Sequence, residues 1–144
     1  MRQILIVGIG SGNPEHVTVQ AINALNRADV LFIPTKGAKK AELADVRRDI
    51  ISRYVTSPTT RTVEYEVPTR SIADRSYGES VDDWHAAITR IYEQLFTAEL
   101  GEDGIGAFLV WGDPMLYDST IRIIERVKAA GRVAFDHAVI PGIT

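Results

Sequence analysis

The chain has 144 residues, 45% of them apolar and 24% charged, which is the balance of one globular domain with a real core rather than of a disordered segment. A formal net charge of −3 gives no electrostatic reason to expect nucleic acid or an anionic membrane surface as a partner. The absence of cysteine excludes disulfides, thiolate metal sites and cysteine nucleophiles and suits a cytoplasmic protein, and no run approaches the ~20 apolar residues needed to span a bilayer.

Residues 3–9 (QILIVGI) form a short run rich in β-branched residues and predict a buried strand; glycines and Asn-Pro follow too soon for a signal peptide. Residues 17–28 place Val19, Ile22, Leu25 and Ala28 at helical spacing, with Thr18 as N-cap. Residues 30–33 (VLFI) predict a second strand, stopped by Pro34. Residues 41–54 predict an amphipathic helix carrying Leu43, Val46, Ile50 and Ile51 on one side. Residues 61–67 (RTVEYEV) alternate and predict an exposed or edge strand. Residues 68–79 are polar and irregular. A long helix follows over 80–100, with Val81, Trp84, Ile88, Ile91 and Leu95 on one stripe. Residues 106–111 predict a buried strand and 119–130 a helix with Gly131 as C-cap. Residues 133–135 and 138–140 predict one or two final short strands.

Strands alternating with helices imply an α/β domain with a mostly parallel sheet of about five strands and helices in layers around it. In such sheets ligands sit beyond the C-terminal ends of the strands. That rule selects three segments: the glycine loop at 8–16, the loop after Trp111, and the turn at 141–144. The chain stops just after a strand, where a turn has begun. A complete domain seldom stops there, so the chain is expected to be the N-terminal part of a longer protein.

The first loop, GIGSGNPEHVT, invites a dinucleotide reading but fails two of its requirements. The fingerprint is G-x-G-x-x-G opening directly into a helix; here position 13 is Asn, and Pro14 delays the helix. An acid should also close the second strand to hold the ribose, yet that strand ends Ile33-Pro34-Thr35-Lys36, and Asp29 lies at its wrong end. The Walker pattern is absent. A tight turn that merely needs glycines remains an alternative.

His16, His85 and His137 stand far apart with no partner at metal-ligand spacing, so no metal site is expected. His85 reads as a packing or surface residue, and Asp82 and Asp83 as first-turn helix charges. Lys36, Lys39, Lys40, Arg47 and Arg48 form a basic patch: either a solvated helix face, or a surface for a carboxylate-rich substrate.

Three segments taken together, GIGSGNPEHVTVQA, WGDPMLYDST and VIPGIT, resemble the tetrapyrrole methylases, whose opening motif has the form G-x-G-P-G-D-P-x-x-[LV]-T. Order and spacing match over all 144 residues. Ser11 stands where many members have Pro, and Asn13 where they have Asp; both remain good turn and cap residues. Within the family the match is best to a deacetylating C-methyltransferase of the aerobic cobalamin route, which methylates C1 of a precorrin with loss of acetate.

The resemblance implies two α/β domains, of which residues 1–144 are the first, and pairing of subunits as a homodimer. It implies S-adenosylmethionine as methyl donor, S-adenosylhomocysteine as its product, and a precorrin as the tetrapyrrole substrate. The cofactor contacts it implies are Gly10, Ser11, Trp111, Gly112, Asp113, Leu116, Tyr117 and Thr144. The candidates for a general base in deacylation are His16, Asp113 and Tyr117. Lys36, Lys39, Arg47 and Arg70 are candidates for the substrate's carboxylates. The competing readings are a methylase acting on another ring position or on a protein side chain, a nicotinamide-dependent oxidoreductase, and a non-catalytic α/β ligand-binding module.

Overall fold

In a computed structural model the residues described are 1–35, 38–68, 77–116 and 118–144, with the backbone alone considered for 38–44 and 77–82. Five strands, β1 (Arg2–Gly8), β2 (Val30–Pro34), β3 (Arg61–Tyr65), β4 (Ile105–Val110) and β5 (Phe135–Ile140), form one sheet in the order β3-β2-β4-β1-β5. Every pairing is parallel. Four helices cover it: α1 (Val19–Arg27), α2 (Ala38–Tyr54), α3 (Tyr77–Glu99) and α4 (Thr120–Ala130).

Strand alternation sorts the core into two halves. Ile4, Ile6, Val30, Phe32, Phe108 and Val110 point to α3 and α4, while Leu5, Val7, Leu31, Ile33, Ala107 and Leu109 point to α1 and α2. Burial on both faces is why these strands read as continuous apolar runs. The α3 side is aromatic, with Phe108 stacked 4.6 Å from Tyr92 and 5.2 Å from Phe32. The α1 side is built from small residues, Ala21, Ala24 and Ala28, which lets that helix lie close to the sheet.

The connections decide where a ligand fits. From β1 the chain moves one way along the sheet, through α1 and α2, to β2 and β3; it then returns through α3 and α4 to β4 and β5. A single hand of crossover places the two helix pairs on opposite faces. β1 and β4 are neighbours whose outgoing connections leave in opposite directions, so a crevice opens beyond their C-terminal ends.

Several sequence expectations change. Val19 is 73% exposed, and α1 buries Ala21, Ala24 and Leu25 instead. Ile88, Tyr92 and Phe96, at four-residue spacing, carry the buried side of α3, while Trp84, Ile91 and Leu95 are partly buried beside them. Because α3 begins at Tyr77, Asp82 and Asp83 fall beyond its first turn and lose the dipole reading. β4 ends at Val110, leaving Trp111 outside the strand and 38% exposed. The last two segments are one strand, β5. Thr18 caps α1 by accepting from Ala21 N–H at 3.0 Å, and Gly131 closes α4 with φ +71°, both as expected. The irregular segment 68–79 lies largely outside the described residues.

Candidate functional site

The loops after β1 and β4 are joined across the crevice. Ile9 N–H donates to Val110 O at 2.9 Å, continuing the sheet by one bond. Gly10 and Gly112 then exchange two backbone bonds, of 3.2 and 2.8 Å, in an isolated antiparallel bridge. The turn after β5 packs against the same point. A Cβ on Gly8 would lie 2.7 Å from Gly112 O, 2.8 Å from Gly142 N and 2.8 Å from Pro114 Cδ. Backbone atoms cannot swing aside, so glycine is required there by close approach. Asp113 fixes the third loop: its Oδ1 accepts from Gly142 N–H at 3.2 Å.

Gly112 has a different reason to be glycine than ligand approach. A Cβ there would meet only ordinary contacts, the nearest Thr144 Cγ2 at 3.6 Å, but its φ of +63° is the left-handed region that L side chains rarely adopt. Trp111 leaves the strand and lays its ring over Gly12, where a Cβ would fall 2.7 Å from Cη2. The glycine loop is held from inside and outside. Asn13 Oδ1 accepts from Glu15 N–H at 2.9 Å, starting a 3-10 turn at Pro14–His16, and Tyr54 of α2 donates its hydroxyl to Pro14 O at 2.7 Å. That turn is the delay that Pro14 predicted.

These contacts leave a cleft of about 340 Å³ lined by Ser11, Trp111, Gly112, Asp113, Leu116, Asp118 and Thr144, within the size range of small-molecule sites. Six residues expected at a cofactor site are therefore brought together on one wall. Gly10 stands behind them in the bridge, and Tyr117 lies outside the described residues. Asp118 caps α4, accepting from Thr120 N–H at 2.6 Å, whereas Ser119 makes no side-chain cap bond; its place in the cleft comes from loop geometry that no motif encodes.

Of the three base candidates, His16 shares a hydrogen bond of 2.5 Å between its Nδ1 and Ser11 Oγ, and Ser11 lines the cleft. Asp113 is engaged with Gly142. The basic patch divides. Arg48 is exposed and pairs with Glu64 and, at 3.1 Å, with Asp45. Arg47 is buried, its Nε donating to Leu109 O at 2.8 Å. The side chains of Lys36, Lys39 and Arg70 lie outside the described residues. Asp29 sits at the N-terminal edge of the sheet, where Oδ2 accepts from Ile105 N–H at 2.8 Å, far from any ribose position beyond the opposite edge. Among the described residues no group of three or more His, Asp or Glu side chains could hold a metal ion, and no helix is long and apolar enough to cross a membrane.

The family model for tetrapyrrole (corrin/porphyrin) methylases matches residues 3–144. The chain belongs to this family. Among curated methylases, it is 74% identical over 144 residues to a precorrin-6A synthase [deacetylating] of Sinorhizobium sp, covering 100% of this chain and 55% of that protein. It is 29% identical over 147 residues to a precorrin-2 C(20)-methyltransferase of the same source, covering 99% and 54%. Among solved methylase-fold structures, it matches a cobalamin synthesis related protein (CobF) from Corynebacterium diphtheriae with a TM-score of 0.78 and 36% identity, covering 100% of this chain and 54% of that one. A uroporphyrin-III C-methyl transferase from Thermus thermophilus, complexed with S-adenyl homocysteine, shares the fold at a TM-score of 0.54 and 17% identity, with 99% and 45% covered. The chain thus spans about half the length of the relatives it matches.

Proposed function

We propose that the chain is the first domain of an S-adenosylmethionine-dependent C-methyltransferase that methylates C1 of precorrin-5 with loss of acetate, giving precorrin-6A. The observation that carries this reading is the meeting of all three family loops around one cleft, in a chain 74% identical to a precorrin-6A synthase [deacetylating]. The lower identity to a precorrin-2 C(20)-methyltransferase favours the C1 reaction over its sibling.

The cleft suits the cofactor chemically. Trp111 and Leu116 give apolar wall for an adenine ring and a methionine chain, and Ser11, Asp113 and Thr144 give polar groups at its ends. S-adenosylmethionine would supply there an electrophilic methyl group. The protein's part is alignment: the Gly10–Gly112 bridge and the Asp113–Gly142 bond hold three loops in fixed relation, so the bound pose costs little reorganisation. A second domain closing over these apolar walls would exclude water from the transfer.

Deacylation needs a water to attack the acetyl carbonyl. His16 is our candidate for the base that takes its proton, acting through Ser11. The bond from ring carbon to acetyl carbon then breaks, acetate leaves, and the electron pair stays on the ring carbon that is methylated. A second domain, supported by the length of the relatives, would complete the cleft. The resemblance further supports a cytoplasmic homodimer, which light scattering of the full-length protein tests.

Calorimetric titration of S-adenosylhomocysteine, and separately NAD, into the full-length protein tests the reading. Micromolar binding of the first and silence from the second are expected, followed by acetate release from precorrin-5. Binding of NAD alone would overturn it.

A further inference from the structure

Arg47 is 9% exposed and carries a full charge. Among the described residues no carboxylate lies within 4.0 Å of its guanidinium nitrogens to form an ion pair, and the hydrogen bond it makes there uses Nε alone, to a neutral carbonyl. Burial pulls its pKa below the ordinary arginine value, against the opposing pull of the Tyr65 phenol, the Asp118 carboxylate and the Tyr92 phenol. The terminal nitrogens still hold four N–H donors. Among the described residues no fully buried side-chain nitrogen lacks a partner, so these donors face accessible space.

That space is a cavity of about 130 Å³ at the C-terminal ends of β2, β3 and β4, shared with Tyr65, Tyr92, Asp118 and Thr120. One water needs only about 10–15 Å³ of such volume, so several non-hydrogen atoms fit. The hydroxyls of Tyr65 and Tyr92 stand 3.5 Å apart, at the outer limit of a hydrogen bond, and neither satisfies the other well. Burial raises the pKa of Tyr65 to about 12 and that of Tyr92 well above the usual phenol value, so both remain donors at neutral pH. The opposing charge is Asp118, whose Oδ1 is tied to Thr120 N–H; Asp118 is also the residue common to this cavity and the cofactor cleft.

We infer that this cavity is a carboxylate subsite, in which the fork of Arg47 and the hydroxyls of Tyr65 and Tyr92 hold one small alkyl carboxylate next to the cofactor cleft. Guanidinium binds carboxylate through two parallel hydrogen bonds, and phenols add donors without adding charge. Val67, Ile88 and Phe108 supply apolar wall for a methyl or methylene group. The chemistry stands on the cavity itself; the source of the carboxylate rests on the proposed function, and is either an acetate arm of the tetrapyrrole or the acetate set free.

The test titrates sodium acetate, and acetamide as its neutral isostere, into full-length protein. It compares wild type with Arg47→Lys and with the double variant Tyr65→Phe/Tyr92→Phe, each first checked for folding by thermal unfolding. If free acetate is the ligand, it binds wild type, acetamide does not, and affinity falls at least tenfold in the double variant. If the substrate arm is the ligand, acetate is silent, while KM for the tetrapyrrole rises at least tenfold in the double variant with kcat within twofold. Silence from acetate with KM unchanged overturns the inference and leaves Arg47 as a pin between α2 and β4. S-adenosylhomocysteine is titrated in parallel. If it also fails to bind, the cofactor reading falls by itself and the acetate titration alone decides this one, silence overturning it. Should Arg47→Lys not fold, the tyrosine variant carries the test.

Discussion

At the N-terminal edge of the sheet, Asp29 accepts from Ile105 N–H, Thr60 donates to Ala28 O at 2.6 Å, and Asn26 accepts from Thr56 and Ser57 N–H while donating to Tyr54 O. Side chains there satisfy loose backbone groups and close the edge. At the C-terminal edge Gly10 and Gly112 bridge two loops backbone to backbone, Asp113 ties the third, and Gly8 and Gly142 let the backbones pack closely. The cleft at Trp111 and the Arg47 cavity stay open there, and Trp111, Met115 and Leu116 stand exposed. One edge uses polar side chains for stability. The other uses glycine to bring strands of backbone together and leaves larger side chains exposed around a cleft. Changes at the two edges should therefore separate stability from binding.

The largest effect is expected from Gly8→Ala. Its Cβ would enter three fixed backbone and proline positions at 2.7–2.8 Å. Overpacking of this kind costs about 2 kcal/mol, and moving the loops apart should weaken S-adenosylhomocysteine binding by at least about tenfold. Calorimetry and thermal unfolding on one preparation read both. Asp113→Ala should come next: losing its bond to Gly142 costs about 1 kcal/mol of stability. Because that bond holds a cleft wall, affinity should drop several-fold as well.

Asp29→Ala sharpens the contrast. It removes a bond of similar worth, about 1 kcal/mol, from the closed edge. Denaturant unfolding should register it while the dissociation constant for S-adenosylhomocysteine stays within about twofold of wild type. A change in affinity as large as that of Asp113→Ala would break the comparison.

The last expected effect is a pH slope. Burial raises Tyr65 from 10.0 to about 12. Between those values the unfolded chain releases the phenol proton and the folded chain keeps it, so stability falls as pH rises through that window and is fully present below it. Unfolding midpoints at pH 9 and 11 should converge in Tyr65→Phe relative to wild type.

Much of this was legible in the residues. Continuous apolar runs at 3–9 and 106–111 read as doubly covered strands, and Arg61–Tyr65, with its alternation, does form the sheet's edge. Thr18, Asn13 and Gly131 announced their caps because capping is local chemistry. What misled was periodicity without depth. Val19 fits the helical stripe as well as Leu25 does, yet small alanines meet the sheet and Val19 meets water. Arg47 and Arg48 are adjacent letters, but a turn of 100° per residue sends one into a buried cavity and the other to Glu64 on the surface. Asp118 joined the cleft only because its loop bends over a crevice built by another strand.

The sequence by itself determined the parallel α/β layering, the caps, and which three loops line the candidate cleft, since each follows from local spacing or from a motif contained within a few residues. Tertiary structure alone decided that those loops meet at the β1–β4 junction, that Gly8 and Gly142 must be glycine for one another's sake, and that Arg47 shares a cavity with two tyrosines. These facts depend on strand order, which sets residues more than a hundred positions apart against each other, and no local pattern carries that distance.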